Sequence, residues 1–141
     1  MHALAVQARF DAARVAHLAT ASADGRPHVV PITFARLDDA TLVTAVDHKP
    51  KRTTALRRLA NVAVNPAVAV LVDHYSDDWS RLWWARADGR ARVVTHDSAP
   101  AEHAAAVRRL ALRYEQYRQR PPRGPVIVIA VSRWSGWAAQ E

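Results

Sequence analysis

The stretch VAHLATASADGRPHVVPITFARL, residues 15–37, decides the fold class. It begins with the segment Val15–Ala21, whose small and β-branched apolar residues predict a strand. The turn that follows contains Asp24-Gly25, a strong hairpin signal, because tight hairpin turns need positive φ angles that these residues adopt at low cost. The segment His28–Leu37 is then predicted as the returning strand, so the sheet begins with an antiparallel hairpin.

Pro31 lies inside the predicted returning strand. Proline has no amide hydrogen to donate to a neighbouring strand, so it is confined to sheet edges and bulges. We therefore expect this strand to lie at an edge of the sheet or to contain a bulge.

The remaining segments predict further strands and short helices around the same sheet. The strands follow one another too closely at the beginning of the chain for repeated βαβ crossovers, which favours antiparallel pairing. The sequence predicts a mainly β fold with peripheral helices, a small antiparallel barrel of about six strands in one domain, residues 1–141. The predicted strands after the hairpin are Ala40–Val46, Ala67–Tyr75, Trp83–Val94 and Val126–Trp134; the predicted helices are Ala3–Ala13, Arg52–Ala60 and Asp97–Arg118, with a helical turn at Ser76–Leu82.

Composition narrows the class of protein. The chain has 141 residues, of which 50% are hydrophobic, enough for one domain with a sizeable core. It has no cysteine, which excludes disulfides, thiolate metal sites and thiol nucleophiles. No apolar run approaches the length of a membrane span, and Arg9, Asp11 and Arg14 interrupt the first segment before a signal-peptide core could form. A cytoplasmic protein without membrane association is expected.

The formal net charge is +7. Such a charge is typical of proteins that bind nucleic acid or a polyanionic small ligand, and it also arises in arginine-rich sequences with an otherwise ordinary surface. No helix-turn-helix pattern and no aromatic-basic strand pattern is present. A nucleic-acid-binding protein is therefore the less favoured class.

The chain lacks the motifs of the common catalytic sites. It contains no G-x-S-x-G and, with four glycines, no glycine-rich phosphate loop. Its seven histidines show neither H-x-H nor H-x₃-H spacing, so no metal site is expected. No residue is assigned as catalytic from these patterns.

Both lysines of the chain, Lys49 and Lys51, lie on either side of a proline just before a predicted helix. With Arg52 they place three cations in four residues next to a helix N-terminus, whose free amides and partial positive charge favour an anion. Arg57 and Arg58 follow on the helix. Without a ligand these cations would slightly destabilise the helix, which proteins tolerate; a bound phosphate or carboxylate explains the cluster better.

Tryptophan gives the second signal. Trp83 and Trp84 are adjacent on a predicted strand, so their side chains must face opposite sides. One can enter the core, and the other must meet solvent, a ligand or a partner. Packing alone does not account for all five tryptophans; a dimer interface or a flat aromatic ligand would account for the rest. The five are Trp79, Trp83, Trp84, Trp134 and Trp137.

Taken in order, three stretches resemble a known family. ATASADGRPHVVPITF, TLVTAVDHKPKRTTALRRLANVAVNPAVAVLVDHY and WWARADGRARVV are similar to the split-barrel proteins of the pyridoxamine-phosphate-oxidase-like superfamily. The similarity is strongest to the actinobacterial branch of F420-dependent oxidoreductases, the B type of the flavin/deazaflavin oxidoreductases. F420 is a deazaflavin hydride carrier with a phosphate and an oligoglutamate tail. The resemblance extends from about Phe10 to Trp137.

The resemblance implies a set of cofactor-binding residues. The strand threonine and the positions after it would approach the cofactor, a cationic loop would hold its phosphate, the second strand would contact the ring through its backbone, and a neighbouring segment with the C-terminus would complete the groove. The implied residues are Val29, Val30, Pro31, Ile32, Thr44, Ala45, Val46, Lys49, Lys51, Arg52, Arg57, Trp84, Arg86 and Trp137. Trp134 is a further candidate for closing that groove.

The function implied is hydride transfer between F420 and a conjugated small-molecule substrate, in a homodimer with the cofactor groove at the subunit interface. Tyr75, His74 and Arg86 are candidate proton donors. The serine of the phosphate loop found in FMN-binding relatives is missing, with Asp47-His48 nearby, which favours F420 over FMN. The alternatives are an FMN-binding or haem-binding split-barrel protein and an F420 carrier without turnover.

Overall fold

The computed structural model describes residues 1–46 and 53–140, without the side chains of residues 53–56. Strands and helices alternate irregularly along the chain. The helices are α1 (Ala3–Ala12), α2 (Thr53–Val64), α3 (Pro100–Arg113) and α4 (Glu115–Gln119), with a 3₁₀ turn at Trp79–Arg81; the strands are β1 (Ala16–Ala21), β2 (Pro27–Ile32), β3 (Ala35–Asp38), β4 (Thr41–Ala45), β5 (Ala67–His74), β6 (Trp83–Val94) and β7 (Val126–Ala138).

The strands form one open sheet of seven in the order β2-β1-β5-β6-β7-β4-β3, with every neighbouring pair antiparallel. The antiparallel mainly-β prediction is confirmed, and the number of about six strands is wrong. The difference arises at His28–Leu37, which forms two strands rather than one. β2 ends at Ile32 on one edge of the sheet, and β3 begins at Ala35 on the opposite edge.

The placement of β2 confirms the expectation from Pro31. β2 pairs only with β1, so its outer backbone edge has no strand partner among the described residues. The hairpin turn is also as expected, since Gly25 has a φ of 88°. Gly25 donates its amide to the Ser22 carbonyl, and Arg26 donates to the Ser22 hydroxyl.

The largest differences from the predicted elements lie in α2, in β7 and in the segment of α3 and α4. α2 extends to Val64, beyond the expected end at Ala60, and β7 extends to Ala138, beyond Trp134. The single helix predicted over Asp97–Arg118 is divided at Tyr114, whose backbone is extended at φ −123° and ψ 123°. Ala106, Leu110 and Tyr114 of this segment are buried.

Two apolar cores lie on opposite sides of the sheet. The first, the barrel core, is enclosed by the curved sheet and by α1, and its largest buried side chains include Phe10, Phe34 and Leu18. Phe10 projects from α1 and contacts Phe34 and Trp134 edge-on, with ring centroids 5.8 and 5.3 Å apart. The second core lies between α3 and strands β3, β4 and β7. No helix of the described residues is long and apolar enough to span a membrane.

The Tyr114 hydroxyl connects three segments that are distant in sequence. It lies 2.9 Å from the Arg14 carbonyl oxygen and 3.1 Å from the Phe34 carbonyl oxygen, either of which it can donate to. It also accepts the Phe34 amide at 3.2 Å. These bonds satisfy buried backbone groups at the point where the chain leaves one sheet edge for the other.

Gly89 lets the two longest strands cross at close range. The β6–β7 register shifts between Asp88 and Gly89, which marks a bulge. A Cβ atom at position 89 would lie 2.3 Å from the Ala130 carbonyl oxygen, a backbone atom that cannot move without disturbing the ladder. Only glycine fits at this crossing.

We expect Gly89→Ala to lower the free energy of unfolding by about 3 kcal/mol, the upper end of the cost of overpacking. Urea denaturation of the purified variant would measure it. Gly124→Ala is the matched control, because its Cβ atom would have only an ordinary contact, 3.8 Å from the Val46 carbonyl oxygen. Equal stability of the two variants would contradict the close approach at Gly89.

Candidate functional site

A cleft of about 270 Å³ lies where β2 at one sheet edge approaches β4 near the other. Its walls come from β2, from the β2–β3 corner, from the end of β4, from α2 and from α4. The lining residues are Val15, Pro31, Ile32, Thr33, Ala45, Arg58 and Tyr117. We call this the β2–β4 cleft.

The corner of this cleft is held by hydroxyl groups. The Thr44 side chain is buried and donates its hydroxyl to the Thr33 carbonyl oxygen at 2.7 Å, which joins β4 to the corner. The Tyr117 and Thr33 hydroxyl oxygens lie 2.8 Å apart, with either as the donor. The Tyr117 ring also packs against the Tyr114 ring at 5.7 Å. The β2–β4 cleft therefore has a fixed wall with a phenol at its surface.

The β2–β4 cleft combines three kinds of binding group. The edge strand β2 offers backbone amides and carbonyls that have no strand partner among the described residues. Tyr117 offers a hydroxyl, and Arg58, a residue that is 9% exposed, offers a guanidinium. An edge-strand backbone can hydrogen-bond a polar ring edge, and a guanidinium can hold an anionic group.

α2 also sets the electrostatics beside β2. The half-buried His28 faces this helix, and burial, followed by the charges of Arg57 and Arg58, lowers the pKa of its imidazole. The buried Nδ1 atom of His28 accepts no hydrogen bond from the described residues. Both effects favour the neutral imidazole and indicate a positive potential at this end of β2.

Some of the residues predicted to bind the cofactor lie on the outward side of the sheet. Directly opposed residues of antiparallel strands share a face, and the register aligns Pro31, His17, Leu71, Arg86 and Ser135 across five strands. We call this side the outer face.

The outer face also contains the tryptophan pair that the sequence suggested. Trp84 is opposite Trp137, and Val29 lies on the same face two residues before Pro31. Val29 is 61% exposed and Trp137 is 45% exposed. Arg86 lies over the Trp84 ring at 5.4 Å and pairs with Asp88 at 3.1 Å.

Comparison with known proteins identifies the family of this chain. The family model described as "Pyridoxamine 5'-phosphate oxidase" matches residues 4–138, nearly the whole chain. The chain belongs to this family. The family includes oxidoreductases. No curated protein matches the sequence significantly.

Solved structures share the family fold at low sequence identity. An FAD-binding protein of Mesorhizobium loti superposes with a TM-score of 0.71 at 23% identity, covering 96% of this chain and 94% of its own. The FAD-binding protein of Mycobacterium smegmatis has a TM-score of 0.62 at 17% identity, with 97% and 94% covered. HutZ, the haem storage protein of Vibrio cholerae, has a TM-score of 0.71 at 16% identity, with 96% and 92% covered.

Some of the cofactor-binding residues expected from the resemblance line the β2–β4 cleft, and others lie on the outer face. Pro31, Ile32 and Ala45 line the β2–β4 cleft, whereas Trp84 and Trp137 lie on the outer face. The remaining members are placed as follows: Val29 and Arg86 on the outer face, Val30 on the inner side of β2, Thr44 and Val46 buried, Arg57 exposed on α2, and Lys49, Lys51 and Arg52 outside the described residues.

Other expected residues lie elsewhere. Trp134 faces the side opposite to Trp137 and packs on Phe10 in the barrel core, so the two tryptophans do not share a face of the sheet. His74 lines a different cleft, described below, and Tyr75 is 65% exposed near it in sequence. No group of three or more metal-ligating side chains occurs within residues 1–46 and 53–140.

Tyr117 and Thr33 line the cleft without having been chosen as site residues. Tyr117 belongs to the segment predicted as one long helix, and no local pattern relates it to Thr33, 84 positions away. Of the two helix arginines, the sequence favoured Arg57, whereas Arg58 faces the cleft. Arg57 lies four residues before the buried Asn61 and Arg58 four residues before the buried Val62, so helical periodicity does not distinguish them.

We expect His28 to make the folded state less stable below neutral pH. Its pKa in the folded state is lower than the unfolded value of about 6.5, so the unfolded chain binds more protons as the pH falls through that value. The free energy of unfolding should therefore decrease on acidification from pH 7.5 to 5.5, and this decrease should be smaller in His28→Gln. Urea denaturation at both pH values measures it; identical pH dependence in both proteins would contradict the effect.

Proposed function

We propose that this protein is an F420-dependent oxidoreductase acting on a conjugated small-molecule substrate. The observation that supports this best is the β2–β4 cleft, which combines an edge-strand backbone, a phenol and a buried guanidinium. When bound, the deazaflavin would supply two-electron hydride chemistry, so the protein needs no nucleophile of its own.

The donor set of the cleft fits such a cofactor. Unpaired amides and carbonyls of β2 can hydrogen-bond the edge of a heterocyclic ring, and the Tyr117 hydroxyl can orient a polar group near Thr33. The Arg58 guanidinium can hold an anionic group. These groups are fixed by packing before a ligand arrives, which reduces the entropy lost on binding.

The cationic loop extends this proposal beyond the described residues. β4 ends at Ala45 in the cleft wall, and α2 begins at Thr53, so Lys49 and Lys51 occupy the connection between two elements that line the cleft. A phosphate is the group that these lysines would hold, and the net charge of +7 suits an oligoglutamate tail.

FMN or another flavin is the second candidate ligand. The FAD-binding proteins among the structural neighbours favour it. The absence of the loop serine, and the arginines that continue along α2, favour F420. The two cofactors differ in their tails, so the contribution of the cations distinguishes them.

We expect the purified protein to bind oxidised F420 more tightly than FMN in titrations that follow tryptophan fluorescence. Changing Lys49 and Lys51 together to alanine should weaken F420 binding at least about tenfold, because each lysine contributes a charge-assisted contact. Arg58→Gln should also weaken it, and more than Arg57→Gln, because Arg58 lines the cleft.

The control for the lost charge is Arg108→Ala with Arg109→Ala, two exposed positions on α3. F420 affinity unchanged in the lysine variant, or reduced equally in this control, would refute the phosphate-loop assignment. Tighter binding of FMN would move the assignment to a flavin protein. If the protein binds F420 but does not consume reduced F420 in the presence of an enone, it is a carrier without turnover and not an oxidoreductase.

We further propose that the outer face forms a homodimer interface. It exposes Val29 and Trp137 on a sheet surface where the Arg86–Asp88 pair neutralises its own charge. A partly exposed apolar sheet face is typical of a protein–protein interface. In such a dimer, Trp84 and Trp137 would be available to complete a neighbouring subunit's cofactor groove.

We expect Trp137→Glu to shift the protein from dimer to monomer in sedimentation-velocity experiments, because burying a carboxylate at an apolar interface is unfavourable. Leu112→Glu is the matched control: this side chain is 74% exposed and projects from α3. A wild-type monomer, or a dimer that persists in Trp137→Glu, would contradict the proposed interface.

A further inference from the structure

A second cleft, of about 410 Å³, lies at the end of the barrel closed by α1. Arg9 of α1 forms one side, and the β5–β6 connection with the start of β6 forms the other. The lining residues on which the inference depends are Arg9, His74, Arg81, Leu82 and Trp83. We call this the α1 cleft. Its volume is within the range of roughly 300–1,000 Å³ that is usual for small-molecule sites.

Two arginines, Arg9 and Arg81, line this cleft. Among the described residues, neither Arg9 nor Arg81 forms an ion pair. Arginines that do pair with a carboxylate there are Arg36, Arg86, Arg92 and Arg118. The nearest acidic cap, Asp78, is engaged within its own turn, where it accepts from the Ser80 amide at 3.1 Å and the Ser80 hydroxyl at 2.7 Å. Two like charges at one cavity favour an anion between them.

Arg9 is held in an orientation suited to binding. Its guanidinium carbon lies 4.4 Å above the centre of the Trp83 ring. Stacking on an aromatic ring fixes the plane of the guanidinium and leaves its N–H edge available to an acceptor. A second cavity beside Met1 and His2 is also lined by Arg9, so a ligand in either space meets the same group.

The apolar side of the cleft selects the rest of the ligand. Leu82 and Trp83 are partly buried and offer an apolar wall next to the two cations. Such a wall favours a flat apolar body over a bare inorganic anion. We propose that the α1 cleft binds a small organic anion, with its carboxylate, sulfonate or phosphate at Arg9 and Arg81 and its apolar body against Leu82 and Trp83.

This site is separate from the proposed cofactor site. Trp83 and Trp84 face opposite sides of β6, and Trp83 packs on the barrel core, whereas Trp84 lies on the outer face opposite Trp137. None of the residues lining the α1 cleft lines the β2–β4 cleft. A dimer through the outer face would therefore leave Arg9 on the other side of the sheet.

The test uses the fluorescent probe 1-anilinonaphthalene-8-sulfonate, a sulfonate with an aromatic body, added to the full chain. We expect the probe to bind saturably. The double variant Arg9→Gln with Arg81→Gln should weaken its affinity at least about tenfold, because two charge-assisted contacts are lost. Arg9→Lys with Arg81→Lys, which retains both charges, should recover part of the affinity. Circular dichroism and thermal unfolding check that each variant is folded.

The matched control is Arg108→Gln with Arg109→Gln, which removes the same charge from another apolar, arginine-lined groove on α3. Its affinity for the probe should change less than about twofold. Equal weakening in this control, or unchanged binding in Arg9→Gln with Arg81→Gln, would overturn the proposal. Displacement of the probe by F420 would place it in the β2–β4 cleft and would also overturn the separate site.

Discussion

The close crossing of β6 and β7 at Gly89 is the constraint on which the rest of the structure depends. These strands are the longest in the sheet, and each supports one half of it: β6 pairs with β5, and β7 pairs with β4. A bulge increases local twist and bends its strand. The bend lets one continuous sheet enclose an apolar core with α1 as its cover. It also brings β2 towards β4, although β2 is the first strand in the order and β4 is the sixth.

That geometry explains why the candidate cofactor cleft is where it is. The chain leaves β2 at Ile32 and crosses to the other sheet edge through Thr33 and Phe34, which places the end of β2 at the same cleft as Ala45, the last residue of β4. Thr44, Tyr114 and Tyr117 hold the crossing with hydroxyl groups. Thr33 and Tyr117 therefore both hold the crossing and line the cleft.

Positive charge is distributed over two sites with different chemistry. At the β2–β4 cleft, Arg58 is buried beside an edge strand and a phenol, which suits a cofactor with a polar ring and an anionic tail. At the α1 cleft, Arg9 and Arg81 flank an apolar wall, which suits a smaller organic anion. The net positive charge of the chain is consistent with an anion at either cleft. It does not distinguish the two clefts, because net charge describes only the average surface.

The sequence by itself determined the local features of this protein. Asp24-Gly25 predicted the first hairpin, Pro31 predicted an edge strand or a bulge, and adjacent Trp83 and Trp84 had to face opposite sides. Each of these follows from backbone chemistry within a few residues. The split of His28–Leu37, the contact of Tyr117 with Thr33 and the choice of Arg58 over Arg57 were decided only by tertiary structure. They depend on which distant segments meet when the sheet curves, and no local periodicity encodes that meeting.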